Sequence, residues 1–281
     1  MRRRFPLIAA MLFAMLTLAS AQTPRECYQL HSLDRKSLAF KAGERLTFQV
    51  HYNWGPVNSD VAKAYLSVDS TVLNGIPCYH AKIFGKTPKF YDMFFRIRED
   101  FQSWFSMSSL TPILFKRDTR EGGYYCTNEF WYDWHDRVIN AGLYSSKRGT
   151  RTVQIPLVNC VYDVPSLIYV LRNIDFNKIT DGSTLPLTFA IDDDVYTIRL
   201  KRVGVENKKV KGIGTIRSVR FSVGVVAGEV FASDDEKVDM WFSDDDNRIL
   251  VCFETKVRWG AIDGRLCAYE NLNHPFSSLI Q

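Results

Sequence analysis

The sequence holds no CxxC pair and no G-x-S-x-G elbow, and Gly212-Ile213-Gly214 lack the lysine and hydroxyl residue of a phosphate loop. These absences remove thioredoxin-like redox chemistry, zinc ribbons, the usual serine hydrolase nucleophile and nucleotide phosphate binding. The five histidines, His31, His51, His80, His135 and His274, never fall at metal-ligand spacing. Trp134-His135-Asp136 offers a His-Asp pair with no nucleophile to orient, so it reads as a strand-end histidine. Three acidic runs, Asp192-Asp193-Asp194, Asp234-Asp235-Glu236 and Asp244-Asp245-Asp246-Asn247, are consecutive acids without the alternation, central glycine and distal glutamate of a calcium loop. They read as turn formers, and no metal or cofactor is expected. No Pro/Gly/Ser linker, low-complexity tract or internal repeat divides the chain, so residues 22–281 are expected to form one domain.

Charge of one sign is also scarce. The formal excess of five positive charges includes Arg2, Arg3 and Arg4, and residues 1–21 contain no acid. Without them the balance is nearly even, giving the chain as a whole no electrostatic case for nucleic acid or an anionic membrane.

What is present begins with Met1 to Ala21. A basic start, a short apolar run from Pro6 to Leu18 and the small-residue site Ala19-Ser20-Ala21 form a secretory signal peptide. The run is shorter than the about 20 residues a membrane-spanning helix needs, so no transmembrane segment is expected after cleavage. Cys27 lies beyond the cleavage point instead of next to it, which argues against a lipid anchor. The expected product is an exported soluble protein of the periplasm, with the cell exterior as the alternative.

Period-two alternation dominates the rest. Leu46, Phe48, Val50 and Tyr52 alternate with Arg45, Thr47, Gln49 and His51, and similar runs cover 61–73, 76–86, 90–107, 112–118, 123–135, 137–143, 151–157, 184–191, 195–203 and 214–223. Three hairpins can be registered from side chains. A turn at Asp244–Asn247 pairs Phe242 with Ile249 and Met240 with Val251. A turn around Trp259-Gly260 pairs Val257 with Ile262, Lys256 with Asp263 and Glu254 with Arg265. A loop at Asp192–Val195 pairs Ile191 with Tyr196 and Leu187 with Leu200. The second hairpin sets Cys252 opposite Cys267, within disulfide reach of each other. The six cysteines, an even number, all follow the leader, so a Cys252–Cys267 disulfide is expected, with two buried free thiols or other partners as the alternative; the pairing of Cys27, Cys78, Cys126 and Cys160 stays open. One segment breaks the alternation: Val164, Leu167, Ile168, Leu171 and Ile174 follow helical spacing after a capping Asp163, predicting a short helix near 163–174.

The order FKAGERLTFQVHYNWG, YDVPSLIYVLRNIDF, DGSTLPLTF, GIGTIRSVRF and WFSDDDNRILVCFETKVRWGAIDGRL, spanning about Phe40 to Leu266, resembles the exported bacterial family labelled domain of unknown function 3108. The resemblance implies an all-β fold of the YmcC-like kind, a long antiparallel meander curled into an incomplete barrel. It implies no activity and no site residues.

Aromatic positions supply the binding candidates. Tyr124, Cys126, Phe130, Tyr132 and Trp134 share one strand face, with Tyr125 and Trp131 on the other, while Trp241, Leu250 and Tyr269 align across the last three strands. That stripe is a weak candidate for lining the concave face. The leading reading is a non-catalytic envelope protein binding an apolar or amphipathic ligand, such as a lipid, or an envelope partner on a curved sheet. A carbohydrate-binding module, motivated by six tryptophans, and a hydrolase with an unrecognised site are the alternatives. Oligomeric state is not legible.

Overall fold

Side-chain alternation folds most of the described chain into one sheet. The structure, a computed structural model, describes residues 37–54, 57–158, 160–226, 237–257 and 260–280. The leader 1–21, Cys27, His31, the run Asp234–Glu236 and Trp259 lie outside them.

The strands are β1 (Glu44–Trp54), β2 (Val57–Leu73), β3 (Ile76–Lys86), β4 (Ile97–Ser106), β5 (Pro112–Glu121), β6 (Tyr124–Asp133), β7 (Val138–Ser145), β8 (Gly149–Pro156), β9 (Val161–Tyr162), β10 (Thr184–Ile191), β11 (Asp194–Val210), β12 (Gly214–Val226), β13 (Val238–Ser243), β14 (Leu250–Val257), β15 (Gly260–Glu270) and β16 (Leu279–Ile280). A single turn α1 (Lys89–Asp92) follows β3, and helix α2 (Val164–Arg172) follows β9. Spatial order is β8-β7-β6-β5-β4-β3-β2-β1-β15-β14-β13-β12-β11-β10-β9, with β16 on β12. The chain therefore starts in the middle of the sheet, walks outward to β8, crosses to the opposite edge at β9 and walks back until β15 pairs with β1. The meander is curled but not closed by backbone pairing, since β8 and β9 end the order.

Helix α2 fills the inner face between these two wings. Asp163 caps it, accepting from the Ser166 backbone N–H at 2.9 Å, while the Ser166 hydroxyl accepts from the Asp163 N–H at 3.0 Å; Pro165 occupies the first turn. Ser103 of β4 donates to the same carboxylate at 2.7 Å. Tyr169 stacks against Phe105 of the first wing, and Phe176, just beyond the helix, meets Phe221 and Phe242 of the second at 5.0 and 5.6 Å between ring centres. These rings share one buried cluster with Phe101, Phe115, Phe130, Leu187 and Phe189. Arg172 completes the junction: its guanidinium donates twice to Glu44 (2.6 and 2.8 Å), to the Asn247 carbonyl (3.0 Å) and to the Ala39 carbonyl (2.8 Å).

A second junction lies at the β10–β11 turn. Asp192 pairs with Arg117 at 3.0 Å and accepts from Asn128 at 2.9 Å, while Asp193 pairs with Arg151 and Arg148 at 2.7 and 3.3 Å. The acidic run is thus a tight turn whose first two carboxylates are bonded to the first wing. The run at 244–247 also makes turn contacts, Asp245 accepting from Ser243, the Asn247 N–H and Ser278.

Three expectations need correction. The segment expected as a strand over 90–107 forms β4 only from Ile97; Pro88 starts a helical turn instead, and Phe90, Tyr91, Phe94 and Phe95 follow its spacing. The hairpins slip by two residues from the expected register, the first of them only as far as Trp241, beyond which a bulge sets Phe242 opposite Leu250, because turn length and bulges and not alternation set register. The β10–β11 loop is only Asp192-Asp193, with Asp192 at φ 53°, so Phe189 pairs with Tyr196. Met240 pairs with Phe253, and Val257 pairs with Gly260. Consequently Cys252 faces Arg265, Glu254 faces Asp263, and the expected Cys252–Cys267 disulfide is absent. Cys78, Cys126, Cys252 and Cys267 are free thiols, and burial pushes the Cys252 thiol up to about 12.

Candidate functional site

On the outer face of β4–β8, cross-strand pairing assembles side chains distant in sequence. Leu114, Trp131, Asn140 and Gln154 form one row; Gln102, Lys116, Glu129, Gly142 and Thr152 the next; Asp100, Asp118, Thr127, Tyr144 and Thr150 a third. Gly142 leaves its place in the middle row empty, and an open groove of about 720 Å³ runs over it, with Trp131 and Tyr144 in its lining. Trp131 and Tyr144 are exposed large aromatics, 38% and 37% accessible.

The groove is preorganised. Trp131 Nε1 donates to Glu129 at 2.9 Å, and the same carboxylate pairs with Lys116 at 2.9 Å, which holds its acid below the usual range. Lys82 pairs with Asp100 at 2.6 Å, and Gln102 donates to that acid at 3.0 Å. Gln154 donates to Asn140 at 3.1 Å. The result is a shallow channel with an indole fixed by its own hydrogen bond, a phenol, and amide, carboxylate and ammonium groups around them. Such a surface can stack the C–H face of a ring while bonding its hydroxyls. A larger groove of about 790 Å³ crosses β11–β15, but no aromatic residue among the described ones lines it. Its acids Asp239 and Glu254 are paired with Arg220 at 2.8 Å and Lys208 at 2.6 Å.

Trp241, Leu250 and Tyr269 do not form an open stripe. A bulge between Trp241 and Phe242 sets Trp241 opposite Cys252 but Phe242 opposite Leu250, and another at Thr47/Phe48 moves Tyr269 onto the Leu46 row. Trp241 is buried; its Nε1 donates to Glu206 at 2.5 Å, and the Lys208 ammonium lies 3.6 Å from the ring centre. Tyr269 packs edge-on against Phe276 at 4.9 Å.

A polar cluster unforeseen in the sequence lies on the inner face of the same wing. Glu99 and Glu121 are buried there as neighbours; Thr119 donates to Glu99 at 2.6 Å, and Arg117 donates to Thr119 at 2.7 Å. Burial first, then the neighbouring acid, raises Glu99 to about 9, so the pair retains a proton at neutral pH. Cys126 lies beside them with its thiol pushed up by burial. This pair of acids resembles what the hydrolase alternative requires, yet both carboxyls are enclosed, 7% and 2% exposed. The histidines do not join it. His135 is on the surface, His80 stacks on Trp104, His51 bonds Asp60 and Asn58, and His274 bonds the Leu38 carbonyl. No group of three or more His, Cys, Asp or Glu suited to a metal occurs among the described residues. Among them, too, no helix is long and apolar enough to cross a membrane.

The family model described as Protein of unknown function (DUF3108) matches residues 47–266. The chain belongs to this family. Among solved structures, this DUF3108 chain is similar to a beta-barrel-like protein of domain of unknown function DUF1849 from Brucella abortus, with TM-score 0.53 and 8% identity over 81% of this chain and 96% of that one. The curled meander is thus a barrel-like fold found outside DUF3108. Two weaker likenesses, both of TM-score 0.31, are a Bacteroides fragilis protein described as exported with a YmcC-like fold (8% identity, 83% and 97% covered) and a Parabacteroides distasonis protein described as a lipoprotein (10%, 88% and 100%). No curated protein matches this DUF3108 chain.

Proposed function

We propose that this chain is exported into the bacterial envelope, in the periplasm, and acts there as a non-catalytic binding protein that holds a carbohydrate in the groove of β4–β8. The leader pattern of residues 1–21 supports export. The observation that carries the ligand class is the pair of exposed rings, Trp131 and Tyr144, beside the side-chain gap at Gly142 and among fixed polar groups. A sugar ring offers both an apolar face and a rim of hydroxyls, which is the complement of that surface. An acyl chain on the concave face is less well served, because α2 and its aromatic neighbours occupy that space.

Mature protein on an array of bacterial envelope glycans, followed by calorimetry on the hits, tests the reading. Trp131→Ala and Tyr144→Ala are each expected to weaken a hit about tenfold or more, about 1.4 kcal/mol, with unchanged thermal unfolding. An array without hits, or hits indifferent to both substitutions, overturns it. Mass analysis of each bound glycan after incubation checks the non-catalytic part, which cleavage or modification of the glycan would refute.

A further inference from the structure

We propose that the loop joining β3 to β4 is a docking wedge that places Phe90, Met93 and Phe94 in the headgroup layer of an anionic phospholipid bilayer. The three side chains are 61%, 72% and 74% exposed. They are held out by construction. The turn begun at Pro88 continues through Met93 (φ −68°, ψ −26°), with the Phe94 and Phe95 N–H groups both donating to the Tyr91 carbonyl. Positions 90, 93 and 94 therefore share one side of the turn, and 91 and 95 the other.

The inward side is anchored. Tyr91 donates to Ser59 at 2.5 Å, and Phe95 lies over Gly122, where a Cβ would come within 2.7 Å of its ring. Asp92 receives Thr87 at 2.5 Å and both terminal nitrogens of Arg98 at 3.0 and 2.6 Å. Phe90 and Phe94 meet edge to face at 5.7 Å and so present a joint apolar tip. Ordering costs are thus already met in the free protein, whereas an exposed loop of this composition would otherwise collapse its rings inward.

Charge identifies the occupant. The one acid of the loop, Asp92, is bonded to Arg98, which leaves Lys89 and Arg96 exposed in the loop, with Lys86 at the end of β3, its ammonium over the Tyr65 ring. Lys147, in the β7–β8 turn, lies at the same strand end by the antiparallel order. An apolar tip ringed by cations is complementary to an anionic bilayer, where the rings enter the interface and the cations meet phosphate. The near-even charge of the whole chain does not oppose this, because screening confines the interaction to groups within about 10 Å of the surface. The wedge is independent of the glycan groove, and neither proposal requires the other.

Flotation of mature protein with mixed phosphatidylglycerol and phosphatidylethanolamine vesicles, against phosphatidylcholine alone, is the test. Expected is binding to the anionic vesicles that weakens with salt, a loss of about tenfold or more in the Phe90→Ser/Met93→Ser/Phe94→Ser variant, and loss of the anionic preference in Lys89→Glu/Arg96→Glu. Phe94→Trp supplies a readout that leaves the fold intact: its emission shifts to the blue on vesicle addition and is quenched by brominated lipid. Wild-type protein that ignores anionic vesicles, binding unaltered in both variants, or unquenched Trp emission overturns the proposal. So does a vesicle-independent dimer in sedimentation that the triple variant abolishes, because the occupant would then be a second copy.

Discussion

The two wings on either side of the β1–β15 seam bury different chemistry. Strands β10, β12 and β13 turn Leu187, Phe189, Val219, Phe221 and Phe242 inward, whereas β4–β6 turn Glu99, Glu121, Arg117, Thr119 and Asn128 inward beside their phenylalanines. At these positions the second wing buries apolar side chains, whose contribution does not depend on pH. The first must satisfy a buried polar network, and it borrows Asp192 from the second wing to do so. Polar burial in one wing therefore doubles as the lock between both.

The largest effect is expected where both wings and the seam converge. Arg172→Met leaves Glu44 buried without its partner and should cost about 3–5 kcal/mol in urea unfolding; a loss below about 1 kcal/mol would mean the wings are held without it. Asp192→Ala takes the paired carboxylate from the buried Arg117 and should cost about 2 kcal/mol. Asp193→Ala, at an exposed ion pair, should cost under about 1 kcal/mol, so equal losses would erase the distinction between inner and outer contacts.

Titration separates the wings further. Glu99, raised to about 9 in the fold from 4.5, keeps a proton that the unfolded chain releases. Between about pH 4.5 and 9 the folded state thus binds more protons, and stability falls as pH rises through that window. Asp163, raised to about 7 by burial, adds to the fall over its lower part. Glu99→Gln imitates the protonated acid and should raise the unfolding midpoint at pH 8 more than at pH 5; a parallel shift at both would disprove retention of the proton. The smallest effect is chemical only: alkylation of unreduced, denatured protein should label both Cys252 and Cys267, and protection of both would restore the rejected register.

Legibility in the sequence followed the range of the interaction. Alternation along β1 and the capped helix after Asp163 are local, and both are found within a few residues of where they were expected. Register is less local, since a two-residue loop at Asp192-Asp193 and a four-residue one preserve the same faces. The bulges that separate Trp241 from Leu250 leave no mark in the alternation. Trp131, Gly142 and Tyr144 come from neighbouring strands, and only a glycine inside the run 137–143 hinted that backbone was being kept bare there. Glu99 and Glu121 meet through pairing of β4 with β5, though nothing in either segment announces an acid pair.

The seam carries a consequence for how the chain assembles. Asp60 and Arg265, bonded across it, are 205 residues apart in sequence. Strands β2–β7 have their pairing strands as soon as β8 is made, but β1 keeps an open hydrogen-bonding edge until residues 260–270 arrive. Position along the chain is thus inverted relative to position in the sheet. Cutting away β8 trims a border, whereas cutting away β15 splits the molecule down its centre line and bares the strand most prone to recruit a neighbour.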